Sequence, residues 1–247
     1  ILEACRHVDS IKAVVAVTTD KIYANQEKTE GYIESDPLGG HDPYSASKAA
    51  CELLIDSYRK AYFSDRDSAL LASARAGNVI GGGDWAEDRL IPDLVKSVKE
   101  SERLVIRSPH ATRPWQHVLD CLAGYLLLGQ QLHEKRREFA EAWNFGPQSE
   151  ANRTVAEILS SLQAHWPDLK WEQTDDPQPH EAQLLYLNNR KAREKLEWRP
   201  VWSLDKALHA TADWYRSFHE RGVTSTGEDL STYVSDARSA GASWLQE

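Results

Sequence analysis

The chain is predicted to be an α/β protein built on a parallel sheet with helices on both faces, with a smaller mixed α/β region attached. Two observations carry this. Val14-Val15-Ala16-Val17 and Leu70-Leu71-Ala72-Ser73-Ala74 are short continuous apolar runs bounded by polar residues, the pattern of strands buried on both faces. Between them lies a long amphipathic stretch, and strand, long helix, strand is a βαβ unit. The composition agrees. The chain has 247 residues, 41% hydrophobic and 27% charged, enough for one large domain or two small ones.

Each element has a local reason. Ile1 to Arg6 reads as the last turns of a helix. After the Val14–Val17 strand, a long loop carries Asp36-Pro37 and Gly39-Gly40. Asp42 is an N-cap and Pro43 suits a first helical turn, so a helix is expected from there to about Phe63, with Ala49, Leu53, Ile55, Tyr58 and Tyr62 at helical spacing. Further on, a helix is expected over Leu90 to Lys99, beginning around Pro92, then a short strand at Leu104-Val105-Ile106 and a helix over Val118 to Leu132. A strand follows at Trp143-Asn144-Phe145, ending at Gly146-Pro147. Helices over Val155–Ala164, Asn189–Leu196 and Leu204–Phe218 complete the pattern. The Ser/Thr/Gly-rich segment after Gly222 is expected to fray.

Charge and cysteine content exclude several function classes. Lys and Arg number 29 against 38 Asp and Glu, a net charge of −9 without basic runs, so nucleic acid is not an expected partner. Cys5, Cys51 and Cys121 are odd in number and far apart, which fits neither a disulfide framework nor a zinc site and suits a reducing cytoplasm. The most apolar stretch, Cys121 to Gly129, is too short to span a bilayer. No metal is expected.

Two clusters carry chemistry. Tyr44 and Lys48 in Tyr44-Ser45-Ala46-Ser47-Lys48 lie four apart on the expected helix and share a face. An ammonium beside a phenol favours the phenolate, which makes the pair a usable base. Alone, with nine tyrosines in the chain, such a pair also arises by chance. Thr19, Asp20 and Lys21 directly follow the first strand, and in open α/β sheets ligands gather at the carboxyl ends of strands. Alone, this is also an ordinary capped turn. A strand-end Thr-Asp followed about 25 residues later by Tyr-x-x-x-Lys is far more specific than either part.

With these two clusters the chain resembles the extended short-chain dehydrogenase/reductases, and among them the nucleotide-sugar 4,6-dehydratases, from about Ile1 to Phe218. The segments Arg75-Ala76-Gly77-Asn78-Val79-Ile80-Gly81-Gly82-Gly83-Asp84-Trp85 and Arg113-Pro114-Trp115-Gln116-His117-Val118-Leu119 carry the same resemblance. Lys21 places it with the CDP-glucose branch, since dTDP-glucose relatives have Thr-Asp-Glu there. Cys121 departs from the proline of the family.

The resemblance implies a Rossmann-like sheet, NAD as cofactor and a nucleotide sugar, CDP-glucose, as substrate. Thr19, Asp20, Lys21, Tyr44 and Lys48 would be catalytic, with Thr19, Tyr44 and Lys48 also touching NAD. Asn78, Arg107, Arg113, His180 and Glu181 would bind substrate, the arginines by pairing with its diphosphate. His117 is expected to be structural, and Trp143, Trp166, Trp198 and Trp214 to build the core.

Gly81-x-Gly83-x-x-Ala86 matches a dinucleotide fingerprint only superficially, because the next strand ends at Arg107 and not at an acid. The loop is read as flexible backbone near the substrate. The pyrophosphate-binding turn is expected in roughly a hundred preceding residues outside this chain.

The expected division is 1–82 with 116–147 for the NAD-binding domain, 83–115 with 148–220 for the substrate domain, and 221–247 as a tail. A homodimer formed through the Tyr44 and Val118 helices, a cytoplasmic location and a role in deoxysugar synthesis for O-antigen are further implications. The alternatives are another nucleotide-sugar 4,6-dehydratase, a 4-epimerase, or an inactive fragment that keeps only fold and dimerisation.

Overall fold

Buried along all seven of its residues, β2 (Leu70–Ala76) is the centre of the first of two structural units. The structure is a computed structural model and describes residues 1–65, 68–174 and 184–245. The first unit comprises Ile1–Gly77, Cys121–Gly146 and Leu185–Arg199. The second comprises Asn78–Asp120, Pro147–Leu184 and Pro200–Glu247. Residues 185–199, expected with the substrate domain, thus belong to the first unit.

In the first unit β1 (Ala13–Val17) pairs parallel with β2, which pairs parallel with β6 (Ala142–Phe145), giving the order β1-β2-β6. The short α1 is Leu2–Arg6. The long helix α2 (Pro43–Tyr62) begins as its sequence dictates: Pro43 opens it, and the Asp42 carboxylate accepts the Ser45 amide at 3.0 Å. Ile55 on α2 and Phe63 just past its end pack with Leu71 of β2. α4 (Val118–His133) supplies Leu128 and Leu132, and Trp143 and Trp198 are fully buried. α6 (Arg190–Lys195) completes the unit.

One expectation fails here. β1 is half-buried along most of its length, and Val17 is 54% exposed. Among the described residues β1 has one strand neighbour, so it is an edge, and an apolar run cannot tell an edge strand from a central one. Beside it Val15, Val17, Leu122, Tyr125, Leu126 and Gly129 line an open cleft of about 530 Å³.

The second unit holds two small sheets. β3 (Asn78–Ile80) runs parallel to β5 (Thr112–His117), which pairs antiparallel with β7 (Asn152–Thr154). β4 (Leu104–Ile106) pairs parallel with β8 (Trp171–Gln173). Around them lie α3 (Leu90–Glu100), α5 (Val155–His165), α7 (Leu204–Arg221) and α8 (Thr226–Ser239). α5 starts on a capping box of Thr154 and Glu157, and α7 stops at Gly222, whose φ of +67° is one that L side chains rarely adopt. The core joins Leu94, Trp115, Leu159, Leu162, Trp166, Leu208 and Trp214. The segment expected to fray contains α8, because Tyr233 and Ala237, four apart, are buried on one face.

His117 ends β5 at 3% exposure, packs at a tilt against Trp202 and accepts the Leu119 amide at 3.3 Å, the structural part expected of it. Burial pushes its imidazole down to about 4. Three residues on, Asp120 accepts the Val201 amide at 2.6 Å and the Tyr233 hydroxyl at 2.9 Å. Burial outweighs those bonds and pushes this carboxyl up to about 6.

The two groups act oppositely on stability. Below its unfolded value an unfolded histidine takes a proton that buried His117 refuses, so that contribution is lost as pH falls towards 4. Asp120 holds a proton that the unfolded carboxyl releases, so its contribution grows as pH falls through 6. Asp120→Asn keeps the hydrogen-bond acceptor and removes only the second effect. Relative to the parent, the variant is expected to lose about 2 kcal/mol between pH 6 and pH 4, since a proton held only in the folded state is worth about 1.4 kcal/mol for each full pH step and the carboxyl is only half protonated at pH 6. Urea unfolding across that range measures it, and a constant difference between the two proteins refutes the assignment.

Candidate active site

The carboxyl end of β1 turns at once into a short 3₁₀ turn, Asp20–Ile22, and this turn presents three of the predicted residues. Thr19 caps it: its hydroxyl accepts the Lys21 amide at 3.4 Å and donates to Asp20 Oδ1 at 3.2 Å. Asp20 is 2% exposed, close enough to Tyr125 for its charge to help push that phenol upward, after burial and Cys121. Ile22 is fully buried, and this anchors the turn; the Lys21 side chain points out to solvent.

Tyr44 stands in the first turn of α2, 45% exposed, with Lys48 one turn on and half-buried. Both ammonium groups flank the phenol. Lys48 Nζ and Lys21 Nζ each lie 5.9 Å from the centre of the Tyr44 ring. All five predicted catalytic residues therefore lie in the first unit, with two cations beside one phenol and a buried acid next to one of them in sequence.

Beneath them runs a buried polar network. Glu52 and Arg75 form an ion pair at 2.7 Å, with side chains 3% and 4% exposed. Burial alone would raise the Glu52 carboxyl, yet Arg75, Thr18 and Ser73 together hold it below the ordinary range. These residues were missed from sequence, although one signal existed. Tyr44, Lys48 and Glu52 continue a single four-residue spacing along α2.

The predicted substrate residues Asn78, Arg107 and Arg113 lie in the second unit. Asn78 opens β3 opposite Trp115 of β5, half-buried. Arg107 follows β4 and is exposed; Arg113, in β5, is 7% exposed and donates to the Thr112 carbonyl at 2.8 Å. His180 and Glu181 fall outside the described residues. A cleft of about 900 Å³ in this unit lies beside α5 and the start of α7, among Trp115, Glu157, Trp202 and Asp205. None of the predicted residues line it. Among the described residues no cluster of three or more His, Cys, Asp or Glu is placed to hold a metal ion.

The glycine loop after β3 has a packing explanation instead of flexibility. A Cβ on Gly82 would sit 2.0 Å from Trp214 Cγ, and α3 begins only at Leu90, so no helix N-terminus follows the glycines directly. Trp214 itself is pinned by its indole N–H to Thr226 at 2.8 Å.

Comparison with known proteins gives the family. The family model described as GDP-mannose 4,6 dehydratase matches residues 1–211. The chain belongs to that family. It is 41% identical over 242 residues to CDP-glucose 4,6-dehydratase of Salmonella typhimurium, covering 95% of this chain and 67% of that protein. The dTDP-glucose 4,6-dehydratase of Xanthomonas campestris is 26% identical over 215 residues, 81% of this chain and 56% of the relative.

Among solved structures, the dTDP-glucose 4,6-dehydratase DesIV of Streptomyces venezuelae, with NAD and TYD bound, gives a TM-score of 0.70 at 26% identity over 90% of this chain and 64% of the other. A UDP-glucuronic acid 4-epimerase of Bacillus cereus gives 0.74 at 22% identity, over 88% of this chain and 65% of the other, and shares the fold. This dehydratase-family chain spans about two thirds of the Salmonella protein and less of the other relatives.

Gly82→Ala separates packing from phosphate binding. Overpacking against Trp214 is expected to cost about 1–3 kcal/mol, seen as a fall of roughly 2–10 °C in melting temperature. A glycine that served only a phosphate would leave melting unchanged and weaken nucleotide binding.

Proposed function

We propose that this chain carries the catalytic groups of an NAD-dependent nucleotide-sugar 4,6-dehydratase, a hydro-lyase that turns CDP-glucose into CDP-4-keto-6-deoxyglucose and water. The observation that carries the reading is the arrangement around Tyr44. Two ammonium groups stand 5.9 Å from its ring, and the buried carboxyl of Asp20 precedes one of them in sequence.

The donor set fits the nicotinamide–ribose end of NAD: a phenol and an ammonium one helical turn apart, beside the Thr19 hydroxyl at a strand end. Tyr44, Lys48 and Thr19 would hold it. What NAD supplies when bound is a hydride acceptor at sugar carbon 4 and a hydride donor at carbon 6.

The chain's own residues move the protons. Tyr44, assisted by Lys48 and Thr19, takes the proton of the 4-hydroxyl, and the Lys48 ammonium favours the phenolate that does so. The 4-keto group acidifies the hydrogen on carbon 5, and the Lys21 side chain removes it. Asp20 gives its proton to the departing 6-hydroxyl, which leaves as water. Asp20, at 2% exposure, lies where water is largely excluded, and the role requires it to carry the proton when the sugar is bound. Asn78, Arg107 and Arg113 are the proposed substrate contacts, the guanidinium groups pairing with the diphosphate.

A homodimer is supported by apolar side chains open on the two expected helices: Leu53 and Leu54 on α2 are 63% and 58% exposed, and Leu122 and Leu126 on α4 are 44% and 74%. Three free thiols suit a reducing cytoplasm. The product is proposed to enter deoxysugar synthesis for surface polysaccharide such as O-antigen.

Lys21→Ala tests the mechanism in the enzyme carrying this chain, supplied with NAD and CDP-glucose. The variant is expected to form bound NADH while water release slows about 10²–10⁴-fold. Dehydration at the parental rate removes Lys21 from the base role. Faster turnover of dTDP-glucose or GDP-mannose than of CDP-glucose overturns the nucleotide assignment, and a 4-epimer without dehydration makes the protein an epimerase.

A further inference from the structure

The turn that presents Asp20 and Lys21 is held at both ends by one buried ion pair. At its entry Thr18 donates its backbone N–H to the Ala74 carbonyl of β2 at 2.8 Å, and its hydroxyl to Glu52 Oε1 of α2 at 2.5 Å. The other carboxylate oxygen of Glu52 accepts Arg75 Nη2 at 2.7 Å and the Ser73 hydroxyl at 2.8 Å. At its exit Tyr23 accepts Arg75 Nη1 at 2.8 Å and donates to Asn144 Oδ1 of β6 at 2.7 Å. Arg75 Nη1 also reaches the Glu34 carbonyl at 3.0 Å. Glu52 lies one helical turn beyond Lys48, so the pair touches the Tyr44 helix and both flanks of the Asp20 turn at once.

A buried ion pair is an inefficient way to gain stability, since desolvation consumes most of the attraction and apolar residues of like volume do as well. Its distinct gift is geometry. Directional bonds to residues 18 and 23 fix where Thr19, Asp20 and Lys21 sit against Tyr44 and Lys48, which packing alone would leave free to slide. We infer that Glu52, held by Arg75, is a positioning residue that registers the Thr19–Lys21 turn against the helix carrying Tyr44 and Lys48, with the Thr18 hydroxyl as the link. The kinetic consequence rests on the dehydratase reading, but the structural one does not.

Replacing Glu52 itself would strand the buried charge of Arg75 and endanger the fold. Thr18→Val is the sharper variant, because it removes the link and leaves the Glu52–Arg75–Ser73 bonds in place; Thr18→Ser restores the hydroxyl. Two readouts are taken, steady-state kinetics with NAD and CDP-glucose, and amide hydrogen exchange of the protein without ligands.

Thr18→Val is expected to lower kcat about tenfold, as a sub-ångström displacement of acting groups does, with KM for the nucleotide sugar within about twofold. Melting is expected to fall by no more than about 4 °C. Amides of residues 19–23 are expected to exchange at least about tenfold faster, with those of β2 unchanged. Thr18→Ser is expected to recover both readouts. Parental kcat or parental exchange in Thr18→Val overturns the inference, and so does a serine variant as impaired as the valine one. If the parent enzyme carrying this chain dehydrates no nucleotide sugar, the proposed function fails, and exchange over residues 19–23 still decides the positioning.

Discussion

The first unit is organised about a single buried charge pair. Glu52 comes from α2 and Arg75 from β2, and their 2.7 Å contact sits where water is excluded from both side chains. Breaking such a pair from one side typically costs about 3–5 kcal/mol, because the other charge stays buried and uncompensated. Helix, central strand and strand-end turn are thus joined by one polar network. Asn144 of β6 joins through Tyr23 and also donates to the Tyr32 carbonyl at 2.8 Å, so the network extends across the sheet. Ordinary α/β packing brings α2 over β2; the polar bonds decide at which register it stops.

The second unit solves a different problem with aromatic bulk. Its strands have three residues, or six in β5, too little hydrogen bonding to define a sheet on their own. Trp115, Trp166, Trp214 and Tyr215 fill the space between them and the helices. Trp214 fits because Gly82 has no side chain, and Trp85 packs against Tyr215 at 5.4 Å. Gly82 is thus defined by the ring it admits.

How much of this was legible in the sequence follows from the range of each interaction. Asp42-Pro43 signalled α2 because capping is local, and the apolar runs at 14–17 and 70–74 signalled strands because burial is averaged over neighbours. β5 was invisible as a strand. Thr112-Arg113-Pro114-Trp115-Gln116-His117 has no alternation and contains a proline, and it is a strand only because β3 and β7 pair with it. The proposed catalytic cluster was legible because both of its parts are short-range patterns. Its support was not: Glu52 and Arg75 are 23 residues apart, and nothing near either one announces the other.

His117 and Asp120 stand three residues apart at the end of β5 and the start of α4, and they titrate in opposite senses over overlapping spans of pH. As acid is added, one weakens the fold while the other strengthens it. The stability of the second unit is thereby buffered between about pH 6 and pH 4, and its pH profile is flatter than either group alone would draw it.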